Sequence, residues 1–132
     1  MMQRKILSNL RIEQSKQCLS SAELLFIHQD NRGTINRAYY AVFHAIRSIL
    51  ALEGKDFAKH SAVISYFRKN YIKTGIFPVS LSDTIGELFN SRSNSDYNDI
   101  WEFSDEETKE LLDEANLFVN EVIIYINKIS NN

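Results

Sequence analysis

Breakers are scarce in this chain. Four glycines and a single proline punctuate 132 residues, so each one is informative where it falls. Cysteine is scarcer still. Cys18 stands alone, which excludes an internal disulfide and a cysteine-based zinc cluster. No lysine, arginine or histidine lies three or four residues from it, so it reads as a small buried residue rather than an activated thiol. Charge of one sign is also missing. Fifteen Lys and Arg face seventeen Asp and Glu, a formal charge of −2 and a pI near 5.9. That balance excludes a protein that coats nucleic acid by bulk charge, and leaves room for a local basic site. No apolar run approaches the roughly 20 residues of a membrane span, and Met1-Met2-Gln3-Arg4-Lys5 leads into no signal-peptide core. The expectation is one soluble, cytoplasmic domain over residues 1–132, long enough to bury roughly 68% of its unfolded surface.

Strand periodicity is absent too. No segment alternates apolar and polar residues for long, whereas helical spacing recurs throughout. Gly33, Gly54, Gly75 to Pro78 and a loop over 98–103 divide the chain. Residues 4–29 carry a seam of Leu7, Leu10, Gln14, Cys18, Ser21, Ala22, Leu25 and Phe26. Residues 34–53 are apolar on most sides, the signature of a central helix. A third helix is expected near 59–72. A fourth is expected from Pro78, a residue suited to the first helical position, through Arg92, with Tyr97 on the loop beyond. The last segment opens on a capping box, Ser104-Asp105-Glu106-Glu107. It continues as the stripe Leu111, Leu112, Ala115, Phe118, Val119, Val122, Ile126 and Ile129. The fold class is therefore all-α, an antiparallel bundle of about five helices, with the second and fifth most buried.

Two places break the apolar pattern. Asn36, Tyr40, His44 and Arg47 step by four, four and three along the second helix, with Arg37 beside them. Burying such groups costs several kcal/mol unless each finds partners, so the line is an internal network or one wall of a site. His44 is not a metal ligand by spacing, since His28, His44 and His60 never fall three or four apart, and no metal or cofactor is expected. The second place is Arg92-Ser93-Asn94-Ser95-Asp96-Tyr97. Arg92 and Asp96 stand at i, i+4, the spacing of a helical ion pair. Alternatively Arg92 joins Asn36, Arg37 and His44 in a cationic pocket for phosphate, a task guanidinium forks suit. Tyr97 and Trp101 then either stack on a base or cover the end of the bundle.

These strings together resemble the HEPN superfamily, in particular its small stand-alone branch. The resemblance rests on Asn36-Arg37-Ala38-Tyr39-Tyr40-Ala41-Val42-Phe43-His44-Ala45-Ile46-Arg47, on Lys59-His60-Ser61, on Arg92-x-x-x-Asp96-Tyr97 and on the Ala115/Phe118 helix. It implies a four- to five-helix bundle that forms a two-fold dimer with the polar motif near the axis. It further implies a minimal nucleotidyltransferase (MNT) as partner in a toxin–antitoxin pair. The polar cluster expected to bind nucleotide or RNA is Asn36, Arg37, Tyr40, His44, Arg47, Arg92 and Asp96. Many members are metal-independent RNases with an Arg-x(4–6)-His motif. Here Tyr97 holds the histidine's place and no histidine follows Arg92. A phenol titrating near 10 is a poor base at pH 7, where an imidazole titrating near 6.5 is a good one. The binding and partner role is therefore the leading expectation. The alternative is an RNase toxin with a variant Arg-x4-Tyr motif, its catalytic candidates being Arg92, Tyr97 and His44. The resemblance also marks Tyr97 as the residue a partner transferase modifies by adenylylation.

Overall fold

The computed structural model describes residues 2–97 and 102–130, side chains excepted at 95–97. Its elements are α1 (Met2–Ile27), α2 (Asn31–Leu52), α3 (His60–Phe67) continued by a π-helical turn (Arg68–Ile72), α4 (Val79–Tyr97) and α5 (Asp105–Ser130). No strand occurs among the described residues, and none of the described helices is long and apolar enough to cross a membrane. The bundle is all-α.

Each helix end has a local cause. The first break falls at Gln29, whose φ of 64° reverses the chain, four residues before Gly33. Asp30 then caps α2 by accepting from the Gly33 amide at 2.9 Å. Gly33 is thus inside the first turn of α2, not a boundary. A Cβ on it would lie 2.5 Å from the capping Asp30 carboxylate, which explains a glycine there. Gly54, at φ 69°, follows the end of α2. Pro78 immediately precedes α4. Ser104 caps α5, its Oγ accepting from the Glu107 amide at 3.0 Å. α4 extends through Tyr97, so that backbone is helical where a loop is expected.

α2 is the centre, with thirteen of its 22 residues buried. Ser15 on α1 donates to the Ala41 carbonyl at 2.6 Å and Arg11 to the Arg47 carbonyl at 3.3 Å, so α1 runs antiparallel to α2. α4 is antiparallel as well, bringing Ile85 and Leu88 to Tyr39, Val42 and Ile46. α5 runs the same way as α2 and therefore opposite to α1, as an alternating bundle requires. Asn31 at the start of α2 donates to Asp105 and to the Phe103 carbonyl, at 2.9 and 3.0 Å, which sets α5 parallel to α2. Phe67 and Phe118 meet in the core with centroids 5.8 Å apart, each burial stabilising the fold by about 1.5–3 kcal/mol.

The α1 seam differs from its expected face. Ser8, Arg11, Ile12, Ser15, Cys18 and Ala22 are buried, whereas Leu7 and Leu10 are exposed and so are Gln14 and Ser21. Small serines let α1 approach α2 closely, and backbone acceptors on α2 satisfy Ser15 and Arg11. At Ser15 and Arg11 it is hydrogen bonding, and not hydropathy, that permits burial.

Candidate functional site

The polar line of α2 lies at half depth. Asn36, Arg37, Tyr40, His44 and Arg47 are all partly exposed, while Tyr39 between them is 2% exposed. Two other elements converge here. α3 begins with His60, whose ring stacks on Phe43 at 4.0 Å between centroids. Its Nδ1 shares a hydrogen bond of 3.1 Å with the Tyr39 hydroxyl. α4 contributes Arg92, its guanidinium carbon 5.0 Å from the Tyr39 ring centre and 5.1 Å from that of Tyr40. Arg37 lies 5.1 Å from the same Tyr40 ring.

One phenol ring therefore serves two guanidinium groups. Each contact is worth from about 0.5 kcal/mol when exposed to 2 kcal/mol when desolvated. Asn36 fixes Arg37 from below, its Oδ1 accepting from Nε and Nη2 at 3.1 and 2.9 Å.

The field of these arginines acts on the histidines. Burial, then Arg92 and Arg47, hold His60 below the ordinary imidazole value. Burial, then Arg47, Arg11, Arg37 and His60, do the same to His44. Both imidazoles are neutral at pH 7, so they accept protons rather than add charge. Burial raises the Tyr39 phenol against an opposing pull from Arg92. The assembly offers fixed cations, neutral imidazoles and a protonated phenol. Such a set binds an anion with oxygen acceptors, phosphate above all.

The candidate residues divide in place. Arg37, Tyr40 and Arg92 meet around one ring, with Asn36 behind Arg37. His44 stands 6.1 Å from Tyr40, ring centre to ring centre, and its Nδ1 is buried without a hydrogen-bond partner among the described residues. Arg47 turns to Asp56 at 2.9 Å instead. The side chains of Asp96 and Tyr97, and Trp101, lie outside the described residues. No group of three metal-ligating side chains occurs among the described residues.

Two participants, Tyr39 and His60, are absent from the candidates read in the sequence. Tyr39 looks like ordinary core packing on an apolar helix. His60 sits at a helix start with nothing nearby in sequence to mark it. Its one signal was membership of the string Lys59-His60-Ser61.

A family model described as "HEPN domain" matches residues 8–127. A UPF0332 protein of Thermotoga maritima is 31% identical over 82% of this chain and 82% of its own length. Two proteins of Methanocaldococcus jannaschii, each named "Putative toxin", are similar at 31% and 30% identity. They match 87% and 84% of this chain and 78% and 82% of their own lengths.

Proposed function

The chain belongs to the HEPN domain family, and on that premise we propose that it is one member of a toxin–antitoxin-type pair that binds the phosphate of a nucleotide or RNA at Arg92. One observation carries the reading: Arg92 and Arg37 both stand about one ring, Tyr40, at 5.1 Å each. That arrangement brings two phosphate-binding forks, one from α2 and one from α4, to a common ring. The names of the two Methanocaldococcus relatives support the toxin–antitoxin role. The partner is a nucleotidyltransferase of the minimal type, the chain acts as a two-fold dimer, and Tyr97 is the residue the partner adenylylates.

Titration calorimetry with nucleoside monophosphates and short RNA tests the binding role. Saturable binding that Arg92→Ala weakens at least tenfold is expected, and equal binding by both proteins contradicts it. Co-expression with a minimal nucleotidyltransferase, followed by mass spectrometry, tests Tyr97. Added nucleotide on another residue removes Tyr97 from the proposal.

A specific observation favours RNA cleavage as a second reading. His60 is tied through Tyr39 to the ring under Arg92 and supplies a neutral imidazole that the Arg-x4-Tyr motif lacks. In that reading His60 takes the proton of a 2′-hydroxyl as its oxygen attacks phosphorus; the bond from phosphorus to the 5′-oxygen breaks, leaving a 2′,3′-cyclic phosphate and a 5′-oxygen that takes a proton from water, while Arg92 steadies the charge of the transition state. The purified protein then cuts tRNA, and His60→Gln and Arg92→Ala both stop it. Intact tRNA after incubation with the wild-type protein rules the reading out.

A further inference from the structure

Between α3, the π-helical turn and α4 lies an open groove of about 330 Å³. It borders the Arg92 cluster through Phe89. This ring lines the groove, is 37% exposed, and has its centroid 6.2 Å from Tyr39. Phe89 and Arg92 are three residues apart on α4, so they share a helix face about 4.5 Å apart along the axis.

The groove has an apolar floor and a polar rim. Ile64 and Ile85 form the floor. Residue 86 is glycine, and a Cβ there would stand 3.5 Å from an Arg68 nitrogen, so the open space depends on a missing side chain. Ser61 and Ser65, one turn apart on α3, line the rim with Asn90 and Arg68. Arg68 is held in place: its Nε donates to the Ser82 hydroxyl at 3.0 Å and its Nη2 to the Ser82 carbonyl at 3.1 Å. Its Nη1 donors, and one on Nη2, are left over from those two bonds.

We propose that this groove holds the guanine base of a nucleotide or RNA residue whose phosphate rests on Arg92, an inference that builds on the phosphate reading above. The volume lies at the low end for ligand pockets. It suits one flat ring system, so the sugar and phosphate must lie outside, and Arg92 is the cation on the adjoining face. An exposed phenyl wall suits base stacking. Paired guanidinium donors match the adjacent N7 and O6 acceptors of guanine, whereas adenine sets an amino group beside N7. Asn90 and the two serines offer donors and acceptors to the remaining edge.

Calorimetry with ribose 5-phosphate, CMP, GMP and a short single-stranded RNA containing one guanine tests the groove. The wild-type protein is expected to bind GMP at least tenfold tighter than ribose 5-phosphate or CMP. Gly86→Leu fills the groove and improves helix propensity. It should keep the ribose 5-phosphate affinity and lose the GMP advantage. Should its circular dichroism show a folding defect, Ser65→Leu narrows the groove from an exposed position with the same expectation. No guanine advantage in the wild type, either as GMP or in the RNA against the same RNA with its guanine replaced by cytosine, or an advantage that survives both variants, overturns the groove and leaves the Arg92 reading intact. Unchanged ribose 5-phosphate binding by Arg92→Ala overturns the Arg92 reading, and with it the joint placement of base and phosphate. A GMP advantage absent from the RNA assigns the groove to free nucleotide; a guanine preference seen only in the RNA assigns it to a chain residue.

Discussion

Arg11 and Arg47 are held by one kind of chemistry, Arg37 and Arg92 by another. Arg11, 8% exposed, donates to the Arg47 carbonyl and to Asp56, each at 3.3 Å, and Arg47 reaches the same carboxylate at 2.9 Å. Asp56 carries a full negative charge. It answers both cations and ties α1 and α2 to the segment that follows α2. Arg37 and Arg92 both stand near the ring of Tyr40. A π face orients a guanidinium. The first pair ties neighbouring segments of the chain together through one carboxylate; the second brings a fork from α2 and a fork from α4 to one ring.

Removing Asp56 should break the clamp alone. Asp56→Ala leaves Arg11 buried beside Arg47 without their shared carboxylate, at a cost of about 1–3 kcal/mol. Urea denaturation should show the loss, and phosphate affinity should be unchanged. A fall in affinity would show that the two arginine pairs act as one. The reciprocal variant is Arg92→Ala. It should lower nucleotide affinity at least tenfold, about 1.4 kcal/mol, and cost less stability than Asp56→Ala. Arg92→Lys should recover only part of the affinity, because an ammonium cannot present two parallel donors.

The pH dependence sharpens the comparison further. His44 and His60 titrate below the ordinary imidazole value when folded and near 6.5 when unfolded. Between those values the unfolded chain binds more protons, so stability rises with pH. Their contribution is complete above about 6.5 and is lost as the pH falls below it. His60→Gln should flatten that slope in urea titrations between pH 5 and 7.

Away from the arginines, on the α4–α5 seam, the sign reverses. Glu114 is pushed up from 4.5 to about 7 by burial, its hydrogen bond with Glu87 and the charges of Glu87, Glu110 and Asp83. Here the folded chain binds more protons. The contribution is complete below 4.5 and lost as the pH rises through about 7. Glu114→Gln should remove this opposing slope. An unchanged profile would show that the seam does not titrate in this range.

α5 and α1 mark how far the sequence can be read. Leu111, Leu112, Ala115, Phe118, Val119, Val122 and Ile126 are buried where their spacing puts them; only Ile129 at the end is exposed. That helix is amphipathic in the simple sense, and hydropathy suffices. α1 buries Ser15 and Arg11 because acceptors on α2 and Asp56 complete them, and those partners are invisible in α1 itself. The site divides the same way. Asn36, Arg37, Tyr40 and Arg92 stand out as polar groups in apolar surroundings. His60 and Tyr39 gain their role only when α3 folds onto α2 and brings an imidazole to a phenol 21 residues away.

The contrast between the two arginine pairs can be read in a single titration. Nucleoside monophosphate is added to ¹⁵N-labelled protein while the arginine Nε–H resonances are followed by NMR. Saturable shifts of Arg92 and Arg37, with Arg11 and Arg47 unmoved, are the predicted result. Shifts confined to Arg11 and Arg47, or no saturable shift at Arg92, would contradict it.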